Sequence, residues 1–251
     1  MSKLLTLVAS AVAVVAAPAD AQPASKPSIV LVHGAFADAL GWQKLIPILM
    51  QNGYNVLAVE KPLQSLDGDV ATTKRFLEGI SGPIVLVGHS YGGAVITGAA
   101  AGNPNVKALV YLAAFAPDNG EAVGAFGDKY PVDLSKALKP DTAGFLYVDR
   151  AQFRADFAAD VDATDVAVAA ATQKPLSSSV FTASVPVAAW KTIPSWYVVS
   201  KQDHAINPDL ERFYAKRMNA HTTEIDSSHV AFISHPKEVA LVIEQAAASV
   251  K

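Results

Sequence analysis

The chain of 251 residues contains no cysteine. That absence excludes disulfide staples, thiol nucleophiles and thiolate metal sites, so a fold of this size must be held by its apolar core. Charge is sparse and nearly balanced, with 20 Lys and Arg against 23 Asp and Glu and a net charge of -3. No surplus of cations is present to displace counterions from phosphates, and no nucleic-acid partner is expected. A long membrane-spanning run is also missing. The longest weakly polar stretch, Leu4 to Ala17, falls short of the roughly 18–20 residues that cross a bilayer. Preceded by Lys3 and followed by Ala19-Asp20-Ala21, that stretch reads as a secretory signal peptide over residues 1–21. The expected mature chain begins at Gln22, is exported to the periplasm or the medium, and is free of the membrane after cleavage.

What is abundant is apolar side chain, 51% of the residues, which excludes a disordered or low-complexity chain. Short runs rich in β-branched residues recur at Ile29–Val32, Val56–Val59, Ile84–Val87, Ala108–Ala113, Trp196–Ser200 and Thr222–Ile225. Most lack polar alternation, as strands do when both faces of a sheet are covered, and this implies a mostly parallel sheet of about six strands. Amphipathic segments fall between them at Gly41–Gln51, Val70–Ile80, Tyr91–Ala101, Pro208–Met218 and Pro236–Ser249. The expected fold is therefore α/β and doubly wound, in one domain over residues 22–251. The alternation stops between about 117 and 193, where scattered Gly and Pro mix with Phe126, Tyr130, Phe145, Tyr147, Phe153, Phe157, Phe181 and Trp190. A stretch this long is not a plain loop. It is expected to be an inserted helical cap, with helices over Ala151–Asp160 and Asp162–Thr172.

The chemistry is concentrated in Gly88-His89-Ser90-Tyr91-Gly92, which directly follows a strand run and directly precedes an Ala-rich helix. A serine on so tight a strand-to-helix turn is held in strained backbone, and the glycines on either side permit the close chain approach the turn demands. Ser90 is the expected nucleophile. A hydroxyl needs a base to take its proton and a third group to orient that base. Of six histidines, His33 and His89 lie inside site-forming turns as braces, and His221 precedes the last strand at the wrong end of the sheet. His204 and His235 are placed beside the acid and at a helix start. His229 follows the last strand, at the carboxyl rim where active groups gather in such sheets, and is the expected base. Asp203, in the loop after Trp196–Ser200, is the expected orienting acid, ahead of Asp118 and Asp226. The chain order Ser90, Asp203, His229 is that of one particular serine-hydrolase architecture. Two backbone N–H groups are expected to bind the oxyanion, those of Tyr91 and of Ala35, the latter preferred to Phe36. No metal or organic cofactor is required.

At these residues the chain resembles the α/β-hydrolases, and more narrowly the compact branch with plant methylesterases, hydroxynitrile lyases and bacterial esterases. The resemblance is carried by Leu31-Val32-His33-Gly34-Ala35 with Gly41-Trp42, Gly53-Tyr54 with Val56, Val87-Gly88-His89-Ser90 with Gly92-Gly93, and Leu112-Ala113-Ala114-Phe115 with Pro117-Asp118, then by Asp203 and His229. Residues 119–193 carry no matching motif. The resemblance implies the same triad and oxyanion roles. Cyanohydrin-cleaving members are expected to carry a lysine after the catalytic histidine and a threonine at the place of Gly34. Here Val230 follows His229, so a departing cyanide lacks a cation and hydrolysis is favoured.

The expected activity is hydrolysis of carboxylic esters of small to medium neutral substrates through an acyl-enzyme. Alternatives on the same scaffold are perhydrolase or haloperoxidase-type chemistry, hydroxynitrile-lyase-type chemistry, and ligand binding without catalysis. Substrate identity and oligomeric state are left open by the sequence.

Overall fold

A computed structural model describes residues 26–250. The expected signal peptide lies outside the described residues. Six strands form the main sheet: β1 (Ser28–Val32), β2 (Val56–Val59), β3 (Ile84–His89), β4 (Val106–Leu112), β8 (Ser195–Ser200) and β9 (His221–Ile225). They lie in the order β2-β1-β3-β4-β8-β9, and every neighbouring pair is parallel. The four inner strands are buried almost throughout, whereas the edge strand β9, with Thr222, Thr223 and Glu224, is largely polar and half open. Covered faces explain the unbroken apolar runs, and a polar edge discourages pairing with another chain.

Helices α1 (Ile46–Gln51), α2 (Leu66–Glu78), α3 (Tyr91–Ala99), α7 (Pro208–Arg217) and α9 (Pro236–Ala248) pack around the sheet, with the single turn α8 (Ala231–Ser234) leading into α9. All nine residues of α3 are buried, so the helix is apolar on every side and runs through the core. Helix α7 starts as its sequence demands: Asn207 accepts the Asp209 N–H at 3.0 Å and Pro208 occupies the first turn. The expected helix over 41–51 is instead a 3-10 turn at Ala39–Lys44 followed by α1. Pro47, in the first turn of α1, has no N–H to bond back into the preceding turn, so the helix restarts there.

The insertion between β4 and β8 carries the expected helices, shortened to α5 (Phe153–Phe157) and α6 (Ala163–Thr172), and a single turn, α4 (Leu134–Ala137). It also holds an antiparallel sheet not anticipated from the sequence, in the order β5 (Leu138–Pro140), β6 (Phe145–Val148) and β7 (Leu176–Ser177). Its centre is Phe145-Leu146-Tyr147-Val148, four residues of high strand preference that are too few to read as a strand alone.

The strand order reverses about β1, whose neighbours β2 and β3 follow it in sequence on opposite sides. A crevice therefore opens at the carboxyl ends of β1 and β3, the usual ligand position in open α/β sheets.

Candidate active site

Ser90 leaves β3 with φ 54° and ψ -125°, a left-handed conformation that costs a non-glycine residue about 1–3 kcal/mol. The turn is locked from several directions. The Ser90 N–H donates to the Leu112 carbonyl at 3.1 Å, while the Ser90 carbonyl accepts from Gly93 at 2.9 Å and Phe115 at 3.1 Å. Glycine is compulsory around it: a Cβ on Gly88 would lie 2.7 Å from the Gly92 carbonyl oxygen, and one on Gly92 would lie 2.7 Å from that of His33. A Cβ on Gly34 would meet the Ser90 Cβ at 2.8 Å, so a threonine there is incompatible with this backbone. Phe36 and Ala113, in the turns leaving β1 and β4, are also left-handed, which concentrates strain at this rim.

Opposite, the loops after β8 and β9 bring Asp203 and His229 together. The His229 Nδ1 and the Asp203 Oδ2 are 2.5 Å apart, with both side chains fully buried. Asp203 is fixed through its other oxygen, which accepts the N–H groups of Ala205 at 2.6 Å and Ile206 at 2.9 Å. With Nδ1 turned to the acid, the other imidazole nitrogen, Nε2, is buried and has no partner. The imidazole packs on His89, the neighbour of Ser90 in sequence, at 4.6 Å between ring centroids, and on Phe157 at 4.9 Å. Ser90, the expected donor to Nε2, makes no side-chain hydrogen bond among the described residues.

The remaining histidines have other partners. His89 Nε2 donates to the His229 carbonyl at 3.0 Å, and His33 Nδ1 donates to the Gly34 carbonyl at 2.8 Å. Burial holds both rings well below the usual histidine range, with the proximity of His229 adding to the effect at His89 and that of Lys61 at His33. Both are neutral braces near neutral pH. His221 stacks on Trp196, and His235 begins α9 with its Nδ1 2.9 Å from the Ser234 hydroxyl. His204, adjacent to the acid in sequence, turns outward to Asp133. The rival acids are occupied elsewhere: Asp118 pairs with Lys191 and the exposed Asp226 accepts from Gln202.

Ala35, Ser90 and Tyr91 line a cavity of about 570 Å³. Among the described residues, neither the Ala35 nor the Tyr91 N–H has a backbone acceptor in a turn, loop or cap. The cap supplies Phe126, Tyr130, Phe157 and Phe181 to the cavity wall, whereas Phe153 is buried against Phe157 and Trp190 is buried beside Arg217 of α7. Asp128 is the sole charged side chain in the wall among the described residues. A cavity of this size with few polar groups suits an uncharged molecule.

The sequence of residues 29–241 matches the alpha/beta hydrolase family. The chain belongs to that family. This hydrolase is 33% identical over 129 residues to a carbendazim hydrolyzing esterase of Nocardioides sp. (strain SG-4G), an alignment covering 46% of this chain and 50% of that one. It is 35% identical over 119 residues to an alpha-hydroxynitrile lyase of Arabidopsis thaliana, covering 42% of this chain and 46% of the relative. The aligned stretch thus spans about half the length of each. The crystal structure of polyneuridine aldehyde esterase superposes with a TM-score of 0.77 over 88% of this chain and 98% of that chain, at 20% identity. Its likeness is one of fold.

Three buried side chains near the site escape a reading of motifs. Glu211 is fully buried in α7, where its carboxylate accepts the Ser200 N–H at 3.0 Å. Burial, and next the Asp203 charge beside it, raise its carboxyl well above the usual carboxylate range. Lys61 and Asp69 lie behind the turn of Ala35. The sequence did hold a signal for the two acids. Glu211 shares a stripe with Tyr214 and Ala215, and Asp69 one with Leu66, Thr73 and Leu77, all buried. A carboxylate on an apolar stripe must find a polar partner inside.

Proposed function

We propose that this hydrolase cleaves carboxylic esters of small to medium neutral substrates through an acyl-enzyme. Ser90 attacks the acyl carbon, and its proton passes to His229 Nε2. Asp203 holds the imidazole in the tautomer that leaves Nε2 open, while the Ala35 and Tyr91 N–H groups receive the negative oxygen. The collapsing adduct takes the proton back through His229 onto the departing alcohol, and water then repeats the sequence on the acyl-Ser90 ester.

One observation carries this reading: a buried Asp203–His229 pair with an unpartnered Nε2 packs on His89, the residue before a serine strained onto a strand-to-helix turn. Cyanohydrin cleavage is disfavoured because the residue after His229 is the buried, apolar Val230, which gives cyanide no counter-charge. The carbendazim hydrolyzing esterase among the relatives supports hydrolysis, and a largely apolar cavity wall with Asp128 as its one charge among the described residues supports a neutral substrate.

A fluorophosphonate should modify Ser90 one-to-one and abolish turnover of a short-chain 4-nitrophenyl ester, and Ser90→Ala should do the same without reagent. Full activity in Ser90→Ala would refute the mechanism. Export is part of the proposal, and its check is a mature amino terminus at Gln22 in the periplasm or medium.

A further inference from the structure

Behind the two oxyanion donors lies a buried polar assembly that the triad does not use. Lys61 follows β2 and is 1% exposed. Its ammonium donates to the His33 carbonyl at 2.7 Å, lies 3.4 Å from His33 Nδ1, and sits 5.3 Å from the centroid of the Tyr91 ring. The Lys61 N–H lies 3.4 Å from His33 Nε2, so main chain and side chain both grip the residue that opens the turn to Ala35. Asp69, also fully buried, accepts the Tyr91 hydroxyl at 2.8 Å through one oxygen and the Leu63 N–H at 3.0 Å through the other. Lys61 thus holds the turn that presents one donor, and Asp69 holds the side chain of the residue that presents the other.

Buried polar groups of this kind are costly and cannot be explained by packing alone. Burial drives the Lys61 ammonium down to about 7 and raises the Asp69 carboxyl, and each charge opposes the shift of the other. Lys174 also bears on both groups, and Glu60 bears on Lys61. What the assembly provides is geometry. Two peptide N–H groups on different turns must converge on one oxygen, and an error of about 1 Å at such a site can cost on the order of a hundredfold in rate.

We propose that Lys61 and Asp69 are positioning residues for the oxyanion hole, fixing the Ala35 and Tyr91 N–H groups relative to one another through the His33 carbonyl and the Tyr91 hydroxyl. The proposal rests on the esterase reading. It assigns the pair to the transition state and not to substrate binding: neither side chain lines the cavity.

The test uses the full enzyme with Lys61→Met, Asp69→Asn and Tyr91→Phe. Each should lower kcat for a 4-nitrophenyl ester by about tenfold or more while KM stays within about twofold. Affinity for an aryl trifluoromethyl ketone, whose adduct with Ser90 carries the same anionic oxygen, should fall by the same factor as kcat. Affinity for the matching methyl ketone should hold. Asp69→Asn and Tyr91→Phe should be non-additive, because they break one hydrogen bond. Wild-type kcat and trifluoromethyl ketone affinity in the variants would overturn the proposal, as would equal losses for both ketones. If Lys61→Met does not fold, Tyr91→Phe, which removes a single oxygen, decides the same question. A wild-type enzyme that neither turns over esters nor reacts with fluorophosphonate overturns the esterase reading, and this proposal with it.

Discussion

On the Ser90 side of the site, position is enforced by exclusion: Gly34, Gly88 and Gly92 are each pressed so closely by backbone or by Ser90 that no side chain fits. On the Asp203–His229 side, position is enforced by attraction, through a 2.5 Å contact between the two side chains and two backbone N–H bonds to the acid. The contrast follows from the tasks. A nucleophile has to be held in a conformation the chain would otherwise leave, and steric confinement does that without screening. An imidazole has to be held in one tautomer, and only a hydrogen-bond acceptor distinguishes tautomers.

If the base side works by tautomer control, Asp203→Asn should leave the fold standing and cut kcat by about 10⁴-fold, the scale seen where the same exchange reverses a triad imidazole. The asparagine oxygen can still accept from Ala205 and Ile206, while its NH₂ group forces the Nδ1 proton to Nε2. Steady-state kinetics beside an unchanged melting temperature would check this. On the Ser90 side the same comparison predicts a loss of the fold itself. Gly92→Ala places a methyl group against the His33 carbonyl oxygen and should cost ~3 kcal/mol or more, measured by urea unfolding. An active, stable Gly92→Ala enzyme would break the contrast.

Smaller effects sharpen it. Burial and the Asp203 charge both favour the neutral form of Glu211, so Glu211→Gln, which keeps shape and loses only the titratable proton, should stay within about 1 kcal/mol of wild type. Glu211→Ala strands the Ser200 N–H and opens a void, and should cost about 2 kcal/mol or more by the same unfolding measurement. The smallest effect is a slope. Lys61 releases its proton near 7 when folded and near 10.5 when unfolded, so between those values the unfolded chain binds more protons and stability rises with pH. Below about 7 the burial penalty is present in full. Asp69, Glu60, Lys174 and His33 face the same ammonium, so the difference between wild type and Lys61→Met isolates the lysine. That difference should close as pH climbs from about 7 to 10.5, and a constant offset would contradict the buried charge.

The sheet was legible because buried parallel strands write themselves as unbroken runs such as Ile29–Val32 and Ile84–Val87. Ser90 was legible because its turn needs glycines at fixed spacing, and Asp203 and His229 because strand ends announce where loops meet. The small cap sheet was not, since strands of two to four residues have no period to read. Lys61 was hidden for a different reason. Glu60-Lys61-Pro62 has the look of a solvated turn, and only the folded chain reveals that the ammonium turns inward onto His33.

Two hydrogen bonds reach from the insertion to the residue before the base. Asp160, just beyond α5, accepts both the main-chain N–H and the hydroxyl of Ser228, the residue before His229. The insertion is thereby anchored to the loop that carries the imidazole. Phe157 adds a second point of support, so the insertion braces the imidazole with the same ring that walls the cavity.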